Sequence, residues 1–256
     1  MMKETMKNTV LRQQRILTFL RGSGDATIEQ LCRIFNVSGS SIRRDLDSLE
    51  KAGNLCRVRG GATLGIIPSL LPFSGTPLAE MKDQIGKTAA QQVREGSIVY
   101  LGPGSTTLFV AKYLTNIPNL IVLVSHPKHA AILQNSLAYE VWILGGKFDQ
   151  QAGCILGSYA EQMLRRIHPD MAIISCNAVY PSKGLIYSTT EHTSLMMAAT
   201  EQAHKVIAVV DHSKFNRATS GPFLPFDRFN LLITNRGIDP KIIDSIQECG
   251  PTVQQI

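Results

Sequence analysis

At 256 residues with 44% apolar content and a mean hydropathy of +0.03, the chain exceeds one typical domain and has ample material for a packed core. Its first thirty residues hold no basic stretch leading into a signal-like apolar core, and no apolar run reaches the roughly 18 residues of a membrane span, which reads against secretion and membrane insertion. The formal charge of +6 is uneven: residues 1–60 carry 11 Lys+Arg against 6 Asp+Glu and residues 61–256 carry 15 against 14, so a small basic unit precedes a nearly neutral one, as expected when only one part meets a polyanion.

From Thr9 to Arg21 the apolar residues Val10, Leu11, Ile16, Leu17 and Leu20 recur at helical spacing, and Gly22-Ser23-Gly24 is the expected stop. A second helix is predicted from Thr27, whose hydroxyl and the Gln30 side chain have capping-box spacing, to Phe35, with Asn36-Val37 as the turn. Ser38 is placed to cap a third helix whose Ile42, Leu46 and Leu49 form a buried stripe and which ends at Gly53. The alternating segment Asn54 to Ala62, with Gly60-Gly61, reads as a short strand and turn carrying arginines, that is, a wing.

These elements predict a winged helix-turn-helix over residues 8–63 and a Gly/Pro-rich linker over residues 64–78. An α/β domain is expected over residues 79–256. In it, short β-rich runs at Ser97–Leu101, Leu120–Val124, Val141–Leu144, Met171–Ser175, Lys205–Val210 and Leu231–Thr234 alternate with helical stretches. That order predicts a mainly parallel sheet with helices on both faces and binding loops at the strand C-termini. Trp142 and the other aromatic residues read as core.

A recognition helix needs small residues where its backbone approaches the groove and cations that reach phosphates and guanine edges. Ser38, Gly39 and Ser40 on the first turn, with Arg43 and Arg44 on the second, supply both. The motifs R-Q-Q-R-I-L at Arg12 to Leu17, V-S-G-S-S-I-R-R-D-L at Val37 to Leu46 and R-V-R-G-G-A at Arg57 to Ala62 resemble the DeoR family of bacterial transcriptional regulators. The resemblance implies double-stranded operator DNA as partner, with Arg43 and Arg44 at the DNA, Ser38, Gly39 and Ser40 near base edges, and Arg57 or Arg59 on the backbone. Gly39 and Ser40 fall at variable positions of the motif, which assigns them operator preference.

In the second domain, Gly102-Pro103-Gly104-Ser105-Thr106-Thr107 between a strand and a helix has the make-up of an anion cradle. Ser125-His126, Gly145-Gly146-Lys147 and Asp211-His212-Ser213-Lys214-Phe215 follow other strand ends. These loops resemble those of the family's effector domain, which is similar to ribose-5-phosphate isomerase and CoA-transferase folds and in many members responds to sugar phosphates. The resemblance places Gly104, Ser105, Thr106, Thr107 and Lys214 near a phosphate, Asp211 close by, and Gly145 and Gly146 along the pocket. The chain departs from the family at Gly102-Pro103, where Asp-Ala is common, and at Ser125-His126-Pro127, in place of T-N-S. It departs again at Ser175-Cys176-Asn177-Ala178, in place of G-A-D-G, and near Leu195, where a lysine is usual, although Glu191 remains.

Five cysteines at 32, 56, 154, 176 and 249 form no C-x-x-C, and six histidines offer no compact ligand spacing. Neither a metal site nor a cofactor is expected, and a reducing cytoplasm fits. His126 and His212 could bond a ligand hydroxyl or serve as satisfied structural groups, the commoner role. The expected function is a non-enzymatic repressor of a carbohydrate-utilisation operon, modulated by a phosphorylated sugar or related anionic metabolite and acting as a homo-oligomer. The alternatives are an isomerase-like enzyme with an accessory DNA-binding head, for which Asp211 and Glu191 are the candidate acid and base, and a regulator whose pocket is vestigial.

Overall fold

A computed structural model of the chain describes residues 2–23, 25–51, 55–58, 60–63, 78–134, 136–215 and 220–256. The chain divides into two compact units, Met1–Pro72 and Phe73–Ile256. Gly24, Gly53, Arg59 and residues 64–77 of the expected linker lie outside the described residues.

The N-terminal unit runs α1 (Met2–Ser23), β1 (Asp25–Thr27), α2 (Ile28–Phe35), α3 (Gly39–Lys51), β2 (Cys56–Val58) and β3 (Gly61–Thr63). α1 starts well before Thr9 because Met2 to Lys7 are mostly good helix formers that carry no apolar stripe for periodicity to reveal. Thr27 caps α2 in a full capping box: its hydroxyl accepts from the Gln30 N–H at 3.1 Å, and the Gln30 side chain accepts from the Thr27 N–H at 2.8 Å. Asn36, in the left-handed conformation at φ 52°, turns the chain, and the Ser38 hydroxyl accepts from the Ser41 N–H at 3.3 Å to open α3.

The wing is a three-stranded sheet of order β1-β3-β2. Gly61 is required in it, because a Cβ there would lie 2.2 Å from the Ala26 carbonyl oxygen of the neighbouring strand. Ile16, Leu20, Leu31, Ile42, Leu46, Leu49 and Leu55 fill the core beneath. Asp45, 2% exposed, is held from α1 by the guanidinium of Arg12, through Nε and through Nη2 at 3.2 Å, and by Gln13 Nε2 at 3.3 Å.

The second unit is built on a seven-stranded sheet of order β15-β14-β12-β9-β4-β5-β6 in which every neighbouring pair is parallel. In chain order its elements are α4 (Ala79–Ala90), β4 (Ile98–Leu101), α5 (Ser105–Leu114), β5 (Ile121–Val124), α6 (Pro127–Leu133), β6 (Glu140–Ile143), β7 (Lys147–Asp149), β8 (Cys154–Leu156), α7 (Ser158–Arg165) and β9 (Met171–Ile174). There follow β10 (Ala178–Tyr180), β11 (Gly184–Ile186), α8 (Thr190–Gln202), β12 (Lys205–Val209), β13 (Phe223–Leu224), β14 (Leu231–Thr234), α9 (Pro240–Glu248) and β15 (Thr252–Gln255). Tyr100, Ala172, Ile174, Ala208 and Leu232 pack on one sheet face with Leu164 of α7, Leu195 and Met196 of α8 and Ile246 of α9. The alternate positions Val99, Leu101, Ile173, Ile207 and Val209 are equally buried and by the two-residue period face the other side, where α4 contacts β12 and β14.

β7 and β8 form an antiparallel hairpin, and β10, β11 and β13 a small antiparallel sheet, both additional to the parallel frame. Trp142 departs from its expected core position. It is 40% exposed on β6, which is the edge strand of the sheet.

Asp45→Asn removes the charge and replaces one of the two oxygens that accept from Arg12 with an amide donor. Asp45→Asn should therefore lower the stability of the N-terminal unit by about 1–3 kcal/mol, read from the urea midpoint of the tryptophan-free unit by circular dichroism; an unchanged midpoint would contradict the assigned role of this tie.

Candidate effector cleft and nucleic-acid interface

On α3 the residues at helical spacing from Ile42 divide cleanly. Ile42, Asp45, Leu46 and Leu49 are buried, whereas Arg43 and Arg44 project from the exposed face beside exposed Ser38 and Ser40. Neither arginine makes an ion pair among the described residues. The hydroxyls of Ser40 and Ser41 lie 2.9 and 3.1 Å from that of Ser38, and a Cβ at Gly39 would meet Arg43, Ile28 and Cys32 only at ordinary contact distance, 3.5 Å or more. Arg57 differs from the other expected contacts. Its guanidinium pairs with Asp47 of α3, and its backbone N–H donates to Glu50 at 2.9 Å, so the side chain ties wing to helix and would have to leave Asp47 to reach a phosphate.

In the second unit the chain leaves β4 toward β5 and β6 on one side, and leaves β9 toward β12, β14 and β15 on the other, although β4 and β9 are adjacent. Such a switch in direction opens a crevice at the strand C-termini. A cleft of about 310 Å³ lies there. Pro103 and Gly104 after β4, Ser175, Cys176 and Asn177 after β9, Ser188, Thr189 and His192 at the start of α8, and Asp149, Gln151 and Ala152 of the hairpin line it.

Gly104 sits at φ 150°, and a Cβ there would come within 3.0 Å of the Ser175 side chain. It precedes α5, whose N-terminus receives no side-chain cap, so its first N–H groups remain an electropositive end. Beside that end stands Lys82, a residue the sequence reading did not single out. Lys82 is 7% exposed, and its Nζ lies 3.1 Å from Ser105 Oγ and 3.9 Å from Asp211 Oδ2. Burial pushes its pKa down, Asp211 opposes that shift and Lys214 adds to it. The available signal was a lysine on the apolar stripe of α4, in register with Ile85, Gly86 and Ala89.

Fully buried Asp211 accepts from the Ser213 N–H at 3.1 Å and from the Ser213 hydroxyl, while Oδ2 has no hydrogen bond among the described residues. The 3.9 Å approach of Asp211 to Lys82 brings its loop to the cradle, and the Lys214 charge in that loop opposes a charged Lys82 and favours a charged Cys176. Ser105 and Asp211 thus converge on Lys82, Lys214 follows Asp211 in the same loop, and Gly104, next to Ser105, lines the cleft. Thr106 and Thr107 do not present free hydroxyls in the same way. Both are buried, and Thr107 Oγ1 donates to the Gly104 carbonyl at 2.8 Å and meets His129 Nε2 at 3.3 Å. Gly145 and Gly146 are exposed and absent from the cleft lining, the Gly146 backbone lying against the Leu156 carbonyl instead.

The histidines divide by role. His126 Nδ1 accepts from the Lys128 N–H at 3.1 Å and caps α6, and His212 is held by Asn235 at 2.6 Å. His192 forms part of the cleft wall, and neither of its ring nitrogens is hydrogen-bonded among the described residues. Burial pushes the Cys176 thiol up to about 12, which keeps it protonated and weakly nucleophilic. Among the described residues no group of three or more His, Cys, Asp or Glu side chains could hold a metal ion, and no helix is long and apolar enough to cross a membrane.

A winged helix-turn-helix with an arginine-bearing recognition helix, followed by an α/β domain with a cleft at its strand C-termini, defines a DNA-binding regulator that carries a sensor. The chain belongs to the DeoR family: the DeoR-like helix-turn-helix domain matches residues 12–65 and the DeoR C terminal sensor domain matches residues 78–236. It is 31% identical to the HTH-type transcriptional repressor GlcR of Bacillus subtilis, over 92% of each chain. It is 28% identical to the lactose phosphotransferase system repressor of Lactococcus lactis, over 94% of this chain and 96% of that one. Among solved structures, a D-ribose-5-phosphate isomerase matches with 19% identity over 53% of each chain at a TM-score of 0.38. The eIF2B beta subunit of Chaetomium thermophilum matches with 18% identity over 65% of this chain and 50% of that one at 0.45.

Burial holds His126 at a pKa of about 4, His129 at about 3 and His192 at about 4. In the unfolded chain each takes its proton near pH 6.5. The unfolded state therefore binds more protons across that interval, and stability must fall as pH falls from about 6.5 toward 4. The melting temperature of the second unit should be several degrees lower at pH 5 than at pH 7.5, with uptake of up to about three protons on unfolding at the lower pH; a melting temperature that rises on acidification would contradict the buried neutral histidines.

Proposed function

We propose that the chain represses a carbohydrate-utilisation operon, that its operator affinity is modulated by a phosphorylated sugar, and that it performs no catalysis on that ligand. The observation that carries the effector reading is the buried Lys82, placed between Ser105 and Asp211 at the uncapped N-terminus of α5. A lysine is buried only where something compensates its charge. Two lysines, one hydroxyl and a helix N-terminus around a single carboxylate make a local excess of positive charge suited to a phosphate dianion. The name of the lactose phosphotransferase system repressor supports a carbohydrate as the ligand's body.

The regulatory reading is favoured over an isomerase because the candidate acid and base are each held by another group. Glu191 is exposed and paired with Lys147 at 3.0 Å, whereas Asp211 is fully buried and engaged with Ser213. Proton abstraction needs both near one bound carbon. Calorimetric titration of the whole chain with D-ribose 5-phosphate, D-fructose 6-phosphate and D-glucose 6-phosphate tests the effector reading. A ligand at 100 times its dissociation constant should stabilise the native state by about 2.7 kcal/mol. Lys214→Ala, which leaves the Lys82–Asp211 pair in place, should weaken binding about tenfold or more and leave operator affinity without effector unchanged; binding as tight as in the unsubstituted protein would place the phosphate elsewhere.

For DNA, Arg43 and Arg44 are assigned to the operator, with Ser38, Gly39 and Ser40 at base edges and Arg57 at the phosphate backbone. A single module of this size buries little surface, so a homo-oligomer on repeated half-sites is required for strong specificity. Replacing Arg43 or Arg44 with alanine should cost about 1–3 kcal/mol per half-site if a guanine contact is lost, or reduce the salt slope by about one if a phosphate contact is lost. Unchanged gel-shift titrations for both variants would remove the assignment, and sedimentation of a monomer on the full operator would remove the oligomer.

A further inference from the structure

His192 is a cleft residue that no assigned role uses. It stands in the first turn of α8, 9% exposed, and its backbone N–H is satisfied by the Thr189 hydroxyl at 3.2 Å. Both ring nitrogens are buried and lack any partner among the described residues. Its ring lies 4.9 Å from that of Tyr187, whose fully buried hydroxyl is also unpartnered. Buried polar side-chain atoms are nearly always hydrogen-bonded, so two adjacent orphaned groups behind one wall of a cleft require an explanation. Neither is explained by packing, since an apolar residue of the same shape would fill the space without the cost of desolvating nitrogen or oxygen.

We propose that His192 is a specificity-determining residue of the cleft and that it hydrogen-bonds a hydroxyl on the carbon chain of a polyhydroxylated phosphate ester. The inference rests on the effector reading above, with the phosphate at Lys82, Ser105 and Lys214 and the ligand's body in the cleft that Gly104 shares with that cradle. A neutral imidazole offers one donor and one acceptor, and burial keeps this one neutral at physiological pH. A hydroxyl, which both donates and accepts, can pair with the nitrogen it meets in either tautomer. A second phosphate or carboxylate would only accept, and Asp149, the carboxylate on the hairpin side of the same cleft, would repel it. The remaining lining at Ser175, Asn177, Ser188 and Thr189 offers further uncharged donors and acceptors of the kind a polyol needs.

The test compares ligands that share the phosphate and differ in hydroxyls. The whole chain and its His192→Phe and His192→Asn variants are titrated calorimetrically with inorganic phosphate, n-butyl phosphate, D-ribose 5-phosphate, D-fructose 6-phosphate and D-glucose 6-phosphate. Phenylalanine keeps the ring against Tyr187 and removes both nitrogens, and asparagine keeps one donor and one acceptor. The expected result is that His192→Phe loses about 10- to 100-fold in affinity for the sugar phosphate that the unsubstituted protein prefers. Its affinities for inorganic and butyl phosphate should stay within a factor of about two, and His192→Asn should recover part of the preference. If His192→Phe fails to fold, His192→Leu serves in the same comparison.

Equal sugar-phosphate affinity in all variants would overturn the role of His192 while the phosphate cradle stands. A loss shared by butyl phosphate would also overturn it, since hydroxyl reading would not be the property removed. Failure of the unsubstituted protein to bind any of the five compounds would overturn the cradle and, with it, this inference.

Discussion

The parting of two adjacent strands governs the sensor half of the molecule. β4 and β9 stay hydrogen-bonded one residue past the regular ladder, where the Gly102 N–H donates to the Ile173 carbonyl at 2.9 Å, and then the chain must leave each strand in a different direction. A parallel sheet can only be continued through crossovers packed on its faces. Two sets of crossovers that diverge from one pair of strands leave the ends of those strands uncovered. The cleft is therefore a consequence of strand order, and side chains decide only what it recognises. Gly104 illustrates the limit that this places on sequence, because the loop after β4 passes so near Ser175 that a side chain would collide.

Against that frame, burying Lys82 beside Asp211 makes poor sense as a stabilising device. Removing two charges from water costs several kcal/mol per ion, and a pair separated by 3.9 Å without a hydrogen bond between them recovers little of it. An apolar pair in the same volume would serve folding better. The arrangement is economical only if the lysine's charge is needed for something else, and the uncapped helix end beside it needs the same partner. Both deficits would be met by the anion proposed for this cradle.

Local rules made much of the architecture legible. The six β-rich runs of the sheet, the capping box at Thr27 and the buried stripe on α3 depend on neighbours a few residues away, and periodicity reports such neighbours directly. What escaped detection depends on distant partners. β1 is three residues long and is defined only by its pairing to β3. β15, whose Thr252, Gln254 and Gln255 are exposed, has too few apolar positions to announce a strand. The hairpin and the small antiparallel sheet are likewise short and were invisible to period counting. The cradle shows the same division. Ser105, Asp211 and Lys214 follow strand ends and could be found, whereas Lys82 sits mid-helix, where a charge on the apolar stripe gives a hint but not its partner.

The recognition helix shows how one motif serves two ends at once. In R-R-D-L, successive residues step by about 100° around the helix, so Arg43 and Arg44 face outward while Asp45 and Leu46 face the core. The ion pair of Asp45 with Arg12 fixes α3 to α1, and the paired motif R-Q-Q-R supplies both Arg12 and Gln13 to that contact. Two motifs far apart in the chain thus describe one joint. The orientation of the two outward arginines is set by a buried carboxylate, and the precision of the outward pair depends on the inward one, since a helix that can roll about its own axis presents no fixed pattern of donors.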